Sequence, residues 1–406
     1  MIFRPALLAA ASASLFLTPV HAQVFTPTPA SATSTAAVDA DKAFVHPGIF
    51  SSQSELETIR RRVASHNPSD PMVAGWKSVM DSHYDNLNFQ PQPVAIVTRD
   101  NKSPSPVNER DAAMVSYVLA LRWVLSGDEA AKNKALSVMK AWADVFEDHQ
   151  GDINTYLDSA WVVTVWSAAG ELLRDGRYLG RGANWPAADL DKFQTMVRRL
   201  EAQSAHILTD AQWKGHTGNW DSSAMLGDMA AGVFLNDRTM YNRGRNLMLE
   251  FMPRMLHKEG WPTEVFRDPW HCGVTLTGII EAAEIARHQG NDTALYEARY
   301  DGQTEPRIAV VLRWCANPLR GIPSEPMPAF NIGPSYLHKQ AGWRYDAKGA
   351  TRNTGGFEMA LNYYTRITHL SGMEDFKDMT LHYYRPSGQD NSLFITSDTL
   401  THGDLN

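Results

Sequence analysis

The sequence has few cysteines and lacks the short motifs that typically bind metal ions. Cys272 and Cys315 are the only cysteines in 406 residues. CxxC, HExxH and DxDxDG patterns are all absent, which argues against a dedicated zinc or EF-hand calcium site. We therefore expect neither a metal ion nor a cofactor. The two cysteines can form a disulfide in an oxidising compartment or remain buried thiols, because a core of this size needs no covalent staple.

The sequence also lacks an excess of positive charge. It contains 38 Lys and Arg against 45 Asp and Glu, which gives a net charge of −7 at pH 7. This balance argues against a nucleic-acid partner, because neutralising phosphates requires a basic surface. An anionic substrate is still compatible with it, since a few cationic side chains can converge in one cleft.

No apolar run approaches the ~20 residues needed to span a bilayer, so we expect no membrane insertion. Residues 1–22 instead combine Arg4, an apolar stretch over 6–17 and a small-residue cleavage site at Ala22. This pattern is typical of a secretory signal peptide, which predicts a secreted or periplasmic protein. Residues 23–43 are rich in Thr, Ala, Ser and Pro and predict a disordered linker. Residues 44–406 are expected to form a single domain.

Amphipathic helical patterns fill almost all of this domain. The first, "SSQSELETIRRRV", places Leu56, Ile59 and Val63 on one face, with Ser51 or Ser54 as the N-cap. About ten such segments, each of roughly 14–22 residues, end in Gly, Pro, Asn or Asp. Only "NSLFITSD" near the C-terminus suggests a short strand.

Short connections between successive helical segments are typical of helix hairpins. The sequence shows no clean repeat at a fixed period, which disfavours a regular solenoid. We therefore predict an all-α fold in which helical hairpins form an (α/α) toroid, an incomplete barrel. A groove is expected where helix ends and loops converge on one rim.

The segment "RDPWHCGVTLTGIIEAAEIARHQG" is the first candidate for a reaction site. Asp268 can cap the helix and Pro269 fits its first position, which places His271 in the first turn. The positive end of the helix disfavours imidazolium, so His271 is expected to be neutral and able to accept a proton. The alternative is a surface or capping histidine. Arg267 and Trp270 are candidate substrate contacts, or else an ion-pair partner and a core residue.

A second candidate segment, "WKGHTGNWDSSAML", precedes another helix. His216, Asn219 and Trp220 can bind a sugar carboxylate and ring there, and Gly215 and Gly218 allow the backbone to approach a ligand closely. The alternative is that Asn219 is only an N-cap and Trp220 only packs.

The third candidate segment is "FEMALNYYTRI", which contains Asn362, Tyr363, Tyr364 and Arg366. Consecutive helical residues point about 100° apart, so only one of the two tyrosines can face a groove. Tyrosines at such positions are more often core residues with one hydrogen bond.

The chain resembles the alginate lyase superfamily of polysaccharide lyases, including its glucuronan- and mannuronan-cleaving members. The similar segments span most of residues 45–390, and they are "HPGIF…ELETIRRRV", "GNW", "GVFLNDRTMYN", "RDPWHCGVTLTGIIEAAEIARHQG", "FEMALNYYTR" and "YYRPSG". The resemblance implies an (α/α) toroid and metal-independent β-elimination at a 1,4-linked uronic acid. It implies an anionic polysaccharide as the substrate and predicts no particular oligomeric state.

The resemblance also implies roles for individual residues. Asn219 corresponds to the asparagine that neutralises the substrate carboxylate, while His271 and Tyr364 are the candidate base and acid. Characterised alginate lyases of this fold have a histidine directly after the asparagine, where Trp220 stands here. They also carry a catalytic tyrosine near the position of His271. Which of His271 and Tyr364 is the base therefore remains open.

These residue types suit the elimination reaction. Asn219, helped by Arg267 or His216, can stabilise the charge that develops on the carboxylate when the C5 proton leaves. A neutral His271 can remove that proton. Tyr364 can protonate the departing O4, or one group can do both jobs if the two atoms lie on the same sugar face. Asn362 and Arg366, with Trp220 and Trp270, are the remaining predicted substrate contacts.

Two alternatives belong to other functional classes. An inverting glycoside hydrolase on the same fold would need two carboxylates roughly 6.5–9.5 Å apart, which could come from Glu264, Asp268, Asp221 and Asp158. A non-catalytic carbohydrate-binding protein is the second alternative. It is favoured by the tryptophan that follows Asn219.

Overall fold

The computed structural model describes residues 42–99, 105–210, 218–266, 269–299, 302–320, 355–389 and 391–405, with the backbone alone at 266, 269, 270 and 318. The chain divides into two compact units, Met1–Thr35 and Ala36–Asn406, and every described residue belongs to the second. The predicted signal peptide over 1–22 and almost all of the predicted linker therefore lie outside the described residues.

Helices make up most of the described chain. In the N-terminal half they are α1 Gln53–Ala64, α2 Pro71–Met80, α3 Ser105–Ser126, α4 Glu129–Val145, α5 Asn154–Arg174, α6 Ala187–Ser204 and α7 His206–Thr209. In the C-terminal half they are α8 Asn219–Leu235, α9 Arg238–Met255, α10 Pro269–His288, α11 Arg307–Leu319, α12 Phe357–Leu361, α13 Glu374–Met379 and α14 Asp398–His402. A 3₁₀ turn, Thr263–Phe266, precedes α10, and π-helical turns Asn362–Ile367 and Thr380–Tyr384 extend α12 and α13.

Four long helices, α3, α5, α8 and α10, form an inner layer and pack against one another in that order. These four helices are buried on nearly every side. Their own sequences accordingly carry Ala, Val, Ser and Thr around the whole helix instead of a single apolar stripe. Helices α4, α6 and α9 each bury a single face and form hairpins with α3, α5 and α8. This two-layer arrangement confirms the predicted helical hairpins.

Neighbouring inner helices run in the same direction. The indole N–H of Trp161 in α5 donates to Ser223 Oγ near the start of α8 at 3.2 Å, and Gly170 lies against Phe234 near the ends of both. Gly278 in α10 likewise packs against Ser222 in α8, and Val274 near the start of α10 shares an apolar cluster with Trp161 and Trp220. The N-terminal ends of α5, α8 and α10 therefore lie at the same end of the helical layer.

The connection between α8 and α9 shows how the sequence closes a hairpin. Asn236 ends α8 with a left-handed backbone (φ 56°), a conformation that asparagine tolerates better than most residues. Asp237 then caps α9, and its side chain accepts a hydrogen bond from the Met240 N–H at 3.1 Å. Two caps on consecutive residues thus allow the chain to reverse directly from α8 into α9.

Helix α1 forms where it was predicted, but its cap is a different serine. Leu56, Ile59 and Val63 form its buried face, which confirms the pattern. The N-cap is Ser52, not Ser51 or Ser54, because Ser52 has the extended backbone of a cap and its side chain accepts from the Glu55 N–H. Ser52 and Glu55 form a reciprocal capping box, in which each side chain bonds the backbone N–H of the other.

The strand predicted over "NSLFITSD" is wrong, since the described residues 391–398 contain none. The Gln389 side chain bonds the backbone of this segment instead, donating to Asn391 O and Phe394 O and accepting from the Thr396 N–H. A short parallel pair, β1 Ile96–Arg99 and β2 Asp148–Gly151, occurs where no strand was predicted. Four residues such as "DHQG" carry no alternating pattern that would reveal a strand.

The two cysteines do not form a disulfide. Cys272 in α10 and Cys315 in α11 are fully buried thiols, so the disulfide alternative is wrong. Burial raises the pKa of the Cys315 thiol, which keeps it protonated. Among the described helices, none combines the length and apolar character required to cross a membrane.

Candidate active site

The structure places Asn219 and His271 at corresponding positions of neighbouring helices. Asn219 is the first residue of α8 and His271 is the third residue of α10. Since α8 and α10 pack in parallel, the two residues lie at the same end of the helical layer. The position of His271 in the first turn of its helix confirms the sequence prediction. Its side chain is half-buried, and its carbonyl accepts a hydrogen bond from Thr275 Oγ1 at 3.0 Å.

The backbone of Asn219 is fixed from both sides. Its N–H donates to Glu264 Oε1 at 3.3 Å, and its carbonyl accepts from Ser222 Oγ at 3.2 Å and Ser223 Oγ at 2.6 Å. The residue is only 1% exposed. The backbone of Asn219 is therefore held rigidly at the start of α8, which favours a preorganised side chain at this position.

Gly218 leaves space for the carboxylate of Glu264. Its φ is +150°, and a Cβ placed on it would lie 1.8 Å from Glu264 Oε1. Any side chain there would displace Glu264 from the start of α8. The structure thus gives this glycine an internal role instead of the expected close approach to a ligand, while Gly215 lies outside the described residues.

Asp221, in the first turn of α8, is a buried carboxyl group. It is fully buried, and neither of its oxygens has a side-chain hydrogen-bond partner among the described residues. Burial raises its pKa to about 8, and the negative charge of Glu264 adds to the increase, while Arg254 opposes it. Asp221 is therefore largely protonated at pH 7 and contributes little charge beside Asn219.

An apolar cluster lies next to Asn219 and His271. Leu157, Trp161, Val274 and Phe394 form it, with Trp220 packed against it. Trp161 and Phe394 meet edge to face, with ring centres 5.9 Å apart. Trp220 is half-buried, so the residue predicted as a substrate contact also packs against the fold.

Three of the predicted substrate contacts lie outside what the structure describes. These are His216, Arg267 and the side chain of Trp270. The same holds for Asp268, the expected N-cap of α10. Their assignments remain predictions from the sequence.

The prediction that Tyr364 faces the same groove is wrong. Tyr364 is fully buried, and its hydroxyl donates to the Tyr296 carbonyl at 2.7 Å. Tyr296 and Glu297 follow the C-terminal end of α10, away from its start, and the Tyr363 hydroxyl donates to Glu297 Oε1 at 2.8 Å. Both tyrosines are therefore core residues with one hydrogen bond each, which is the common role of buried tyrosine.

Asn362 and Arg366 belong to the same region as Tyr364 and not to the helix starts that carry Asn219 and His271. Asn362 is buried at 6% exposure. Arg366 forms an ion pair with Asp404, which also binds Arg385 at 2.7 Å. Their expected contact with substrate is therefore replaced by a structural role, because the π-helical turn after α12 packs into the C-terminal region.

Among the described residues, two groups of side chains have the composition of metal sites. The groups are His46, Glu171 and Asp175, and Glu55, Glu284 and His288. An arginine beside each group neutralises its carboxylates. Arg174 lies 3.1 Å from Glu171, and Arg287 lies 2.8 Å from Glu55. Both groups are therefore ion-pair networks, and they lie at the C-terminal ends of α5 and α10, away from His271.

Comparison with known protein families identifies the chain's relatives. A family model described as alginate lyase matches residues 64–320, which is more than half of the chain. The chain belongs to the alginate lyase family. As a member of that family it is a polysaccharide lyase. No curated protein sequence matches it.

Solved structures confirm the fold of this family member. Alginate lyase A1-III from Sphingomonas species A1 is 14% identical, with a TM-score of 0.62, covering 89% of this chain and 98% of its own. An alginate lyase from Bacteroides ovatus is 12% identical, with a TM-score of 0.59, covering 88% and 99%. A variant of A1-III complexed with a tetrasaccharide is 15% identical, with a TM-score of 0.60, covering 85% and 93%. The shared fold is the predicted (α/α) toroid.

Membership of a lyase family argues against both alternatives drawn from the sequence. Glu264 is engaged with the Asn219 backbone, so it does not suit an inverting hydrolase. Asp158 is held by Arg99 and Arg110. A purely carbohydrate-binding role does not agree with an enzyme family.

Proposed function

We propose that this lyase cleaves 1,4-linked uronic acid polymers, polymannuronate or glucuronan, by metal-independent β-elimination that leaves an unsaturated uronide end. The observation that carries this proposal is the placement of Asn219 and His271 at the starts of two parallel, adjacent helices. An amide and an imidazole at one rim are the two groups that the elimination needs at the sugar carboxylate and at C5.

The helix geometry favours an acidic sugar at this place. The N-terminal ends of α5, α8 and α10 lie at one end of the layer, and each carries a partial positive charge. Such ends bind carboxylates and phosphates readily. Asn219 adds a rigid neutral donor, which can stabilise the enolate-like charge that develops as the C5 proton leaves.

His271 is proposed to carry out both proton transfers. The imidazole removes the C5 proton, the C4–O4 bond breaks as the C4–C5 double bond forms, and the same imidazolium donates its proton to the departing O4. One group can reach both atoms only if they lie on the same ring face. This is the case in mannuronate and glucuronate, whereas in guluronate the two atoms lie on opposite faces.

The substrate preference follows from this single-group mechanism. Purified protein is incubated with polymannuronate, glucuronan or polyguluronate while the ultraviolet absorbance of the unsaturated product is followed. We expect rapid product formation from the first two polymers and little from the third. Polymannuronate whose carboxyl groups have been reduced is the control and should give none. Preferential cleavage of polyguluronate would contradict the proposal.

We also propose that the enzyme is exported, because residues 1–22 have the pattern of a signal peptide. The full chain is expressed in a Gram-negative host, and the protein from periplasm and medium is analysed by mass spectrometry. The expected product lacks the first 22 residues. Full-length protein confined to the cytoplasm would contradict export.

A further inference from the structure

Two arginines near the start of α5 share one carboxylate. Arg99 Nη1 lies 3.0 Å from Asp158 Oδ2, and Arg110 forms an ion pair with Asp158 Oδ1. Both guanidinium groups also lie over the Trp161 ring, 5.7 Å and 5.5 Å from its centre. The indole face and the carboxylate together hold the two cations side by side.

This arrangement has an excess of positive charge. Two guanidinium groups face a single carboxylate, and Arg99 also donates to the Asn154 carbonyl at 3.0 Å. Glu109 and His149 lie beside this group, bond each other at 2.5 Å and are both buried. The Glu109 carboxylate is therefore engaged by His149, and no ion pair joins it to Arg99 or Arg110 among the described residues.

The arginines remain accessible while their partner does not. The Arg99 side chain is 28% exposed and that of Arg110 is 17% exposed, whereas Asp158 is 2% exposed. An anion arriving from solvent therefore meets guanidinium groups and not the carboxylate. Guanidinium groups bind carboxylates in a planar, two-bond geometry.

The pair lies close to the proposed catalytic residues. The Trp161 indole N–H donates to Ser223 Oγ at 3.2 Å, and Ser223 in turn donates to the Asn219 carbonyl at 2.6 Å. Trp161 also shares an apolar cluster with Val274, which stands one turn after His271. One tryptophan thus connects the arginines to both helix starts.

We propose that Arg99 and Arg110 form a subsite that binds the carboxylate of a second uronic acid unit in the same polymer chain. The inference rests on the proposed function, since it assumes a substrate with a carboxylate on successive units. In a polyuronate such carboxylates recur at every sugar, so a chain held at Asn219 presents another one further along. The subsite would select polymers that are acidic throughout over those with isolated acidic units.

The test is a binding measurement that needs no turnover. The His271→Ala variant is titrated with a mannuronate tetrasaccharide by calorimetry, and Arg99→Gln and Arg110→Gln are then added to it singly. We expect each to weaken binding by about 10-fold or more, since a hydrogen bond to a charged group is lost. Arg198→Gln is the matched control, because this arginine lies on α6, is 53% exposed and pairs with Asp237 at the surface. Its affinity should not change.

Asp158→Asn distinguishes binding from mere structural pairing. If the arginines only neutralise Asp158, removing that charge lowers the unfolding temperature and does not strengthen binding. If they form the subsite, Asp158→Asn leaves them more cationic, so affinity for the tetrasaccharide rises. Lysine replacements of either arginine, which keep the charge and lose the planar fork, serve if the glutamine variants fail to fold, and should also bind more weakly.

The outcomes separate this inference from the proposed function. Unchanged tetrasaccharide affinity in both arginine variants would overturn the subsite while leaving the elimination at His271 intact. Failure of the parent protein to bind or cleave any uronate would instead overturn the proposed function, and the subsite with it. A tetrasaccharide with reduced carboxyl groups should bind equally weakly to the parent and to both arginine variants, and a difference between them would argue against carboxylate recognition.

Discussion

Replacing Asp221 by asparagine tests the electrostatics around the start of α8. The carboxyl is fully buried, and its pKa is about 8 because of burial and the neighbouring Glu264. In the unfolded chain an aspartate titrates near ~3.9. Between these two values the folded protein holds a proton that the unfolded chain releases. Stability from this group is therefore fully present below pH ~4 and is lost as the pH rises through about 8.

The size of the effect follows from the difference between the two pKa values. At ~1.36 kcal/mol per pKa unit, a rise from 3.8 to about 8 sets a ceiling of ~6 kcal/mol on the stability lost at alkaline pH. We therefore expect a loss of ~4–6 kcal/mol between acid and alkaline pH. The amide introduced by Asp221→Asn cannot ionise. Near pH 5 the variant should be more stable than the parent by only ~1.5 kcal/mol, and near pH 9 by the full amount.

The assay is urea unfolding of both proteins at pH 5, 7 and 9. Asp81→Asn is the matched control, because Asp81 is 63% exposed and pairs with Lys77 at the surface. Its unfolding free energy should differ from that of the parent by less than ~1 kcal/mol at each pH. If Asp221→Asn loses stability at every pH, the carboxyl is ionised and bonded in the folded protein, and our account of it is wrong.

Three further predictions concern the same helix and one distant cap. Gly218→Ala should lower kcat by about 10-fold or more in steady-state kinetics, because the added Cβ would displace Glu264 from the Asn219 N–H. An unchanged kcat would show that Glu264 does not position Asn219. Asn219→Ala should lower kcat by ~10²–10³-fold with little change in unfolding temperature, which is the effect expected when an oxyanion donor is lost. A change in KM alone would argue against that role. Ser52→Ala should lower the free energy of unfolding in urea by ~1 kcal/mol and leave kcat unchanged, since the capping box lies on α1. An unchanged free energy of unfolding would contradict the role of Ser52 as the cap.

The helices could be predicted because their signals are local. Leu56, Ile59 and Val63 repeat at helical spacing, and Asp268-Pro269 marks a helix start, so α1 and α10 were found from the sequence. The strands β1 and β2 could not be found, because each is four residues long and their pairing joins segments about fifty residues apart.

The site was predicted only where it coincides with a helix start. His271 follows a proline at the first helical position, a pattern that fixes its place in the fold. Tyr364 has no such marker, and its burial depends on Tyr296, which lies in another part of the chain. A tyrosine in a core and a tyrosine in a groove occupy the same kind of helical sequence, so only the structure separates them.

The arginine pair illustrates what the sequence did not reveal at all. Arg99 and Arg110 stand 59 and 48 positions before Asp158, and Trp161 joins them through the packing of α3 and α5. Contacts of this kind depend on how whole helices pack. They leave no motif that a reader of the sequence could recognise.

The central claim is that His271 alone moves the proton, and comparing kcat of His271→Ala with kcat of Tyr364→Phe tests it most directly. On polymannuronate we expect His271→Ala to lose at least ~100-fold in kcat. Tyr364→Phe should keep kcat near that of the parent and lose only ~1 kcal/mol of stability with its hydrogen bond to Tyr296. The reverse pattern, an active His271→Ala and an inactive but folded Tyr364→Phe, would contradict the account.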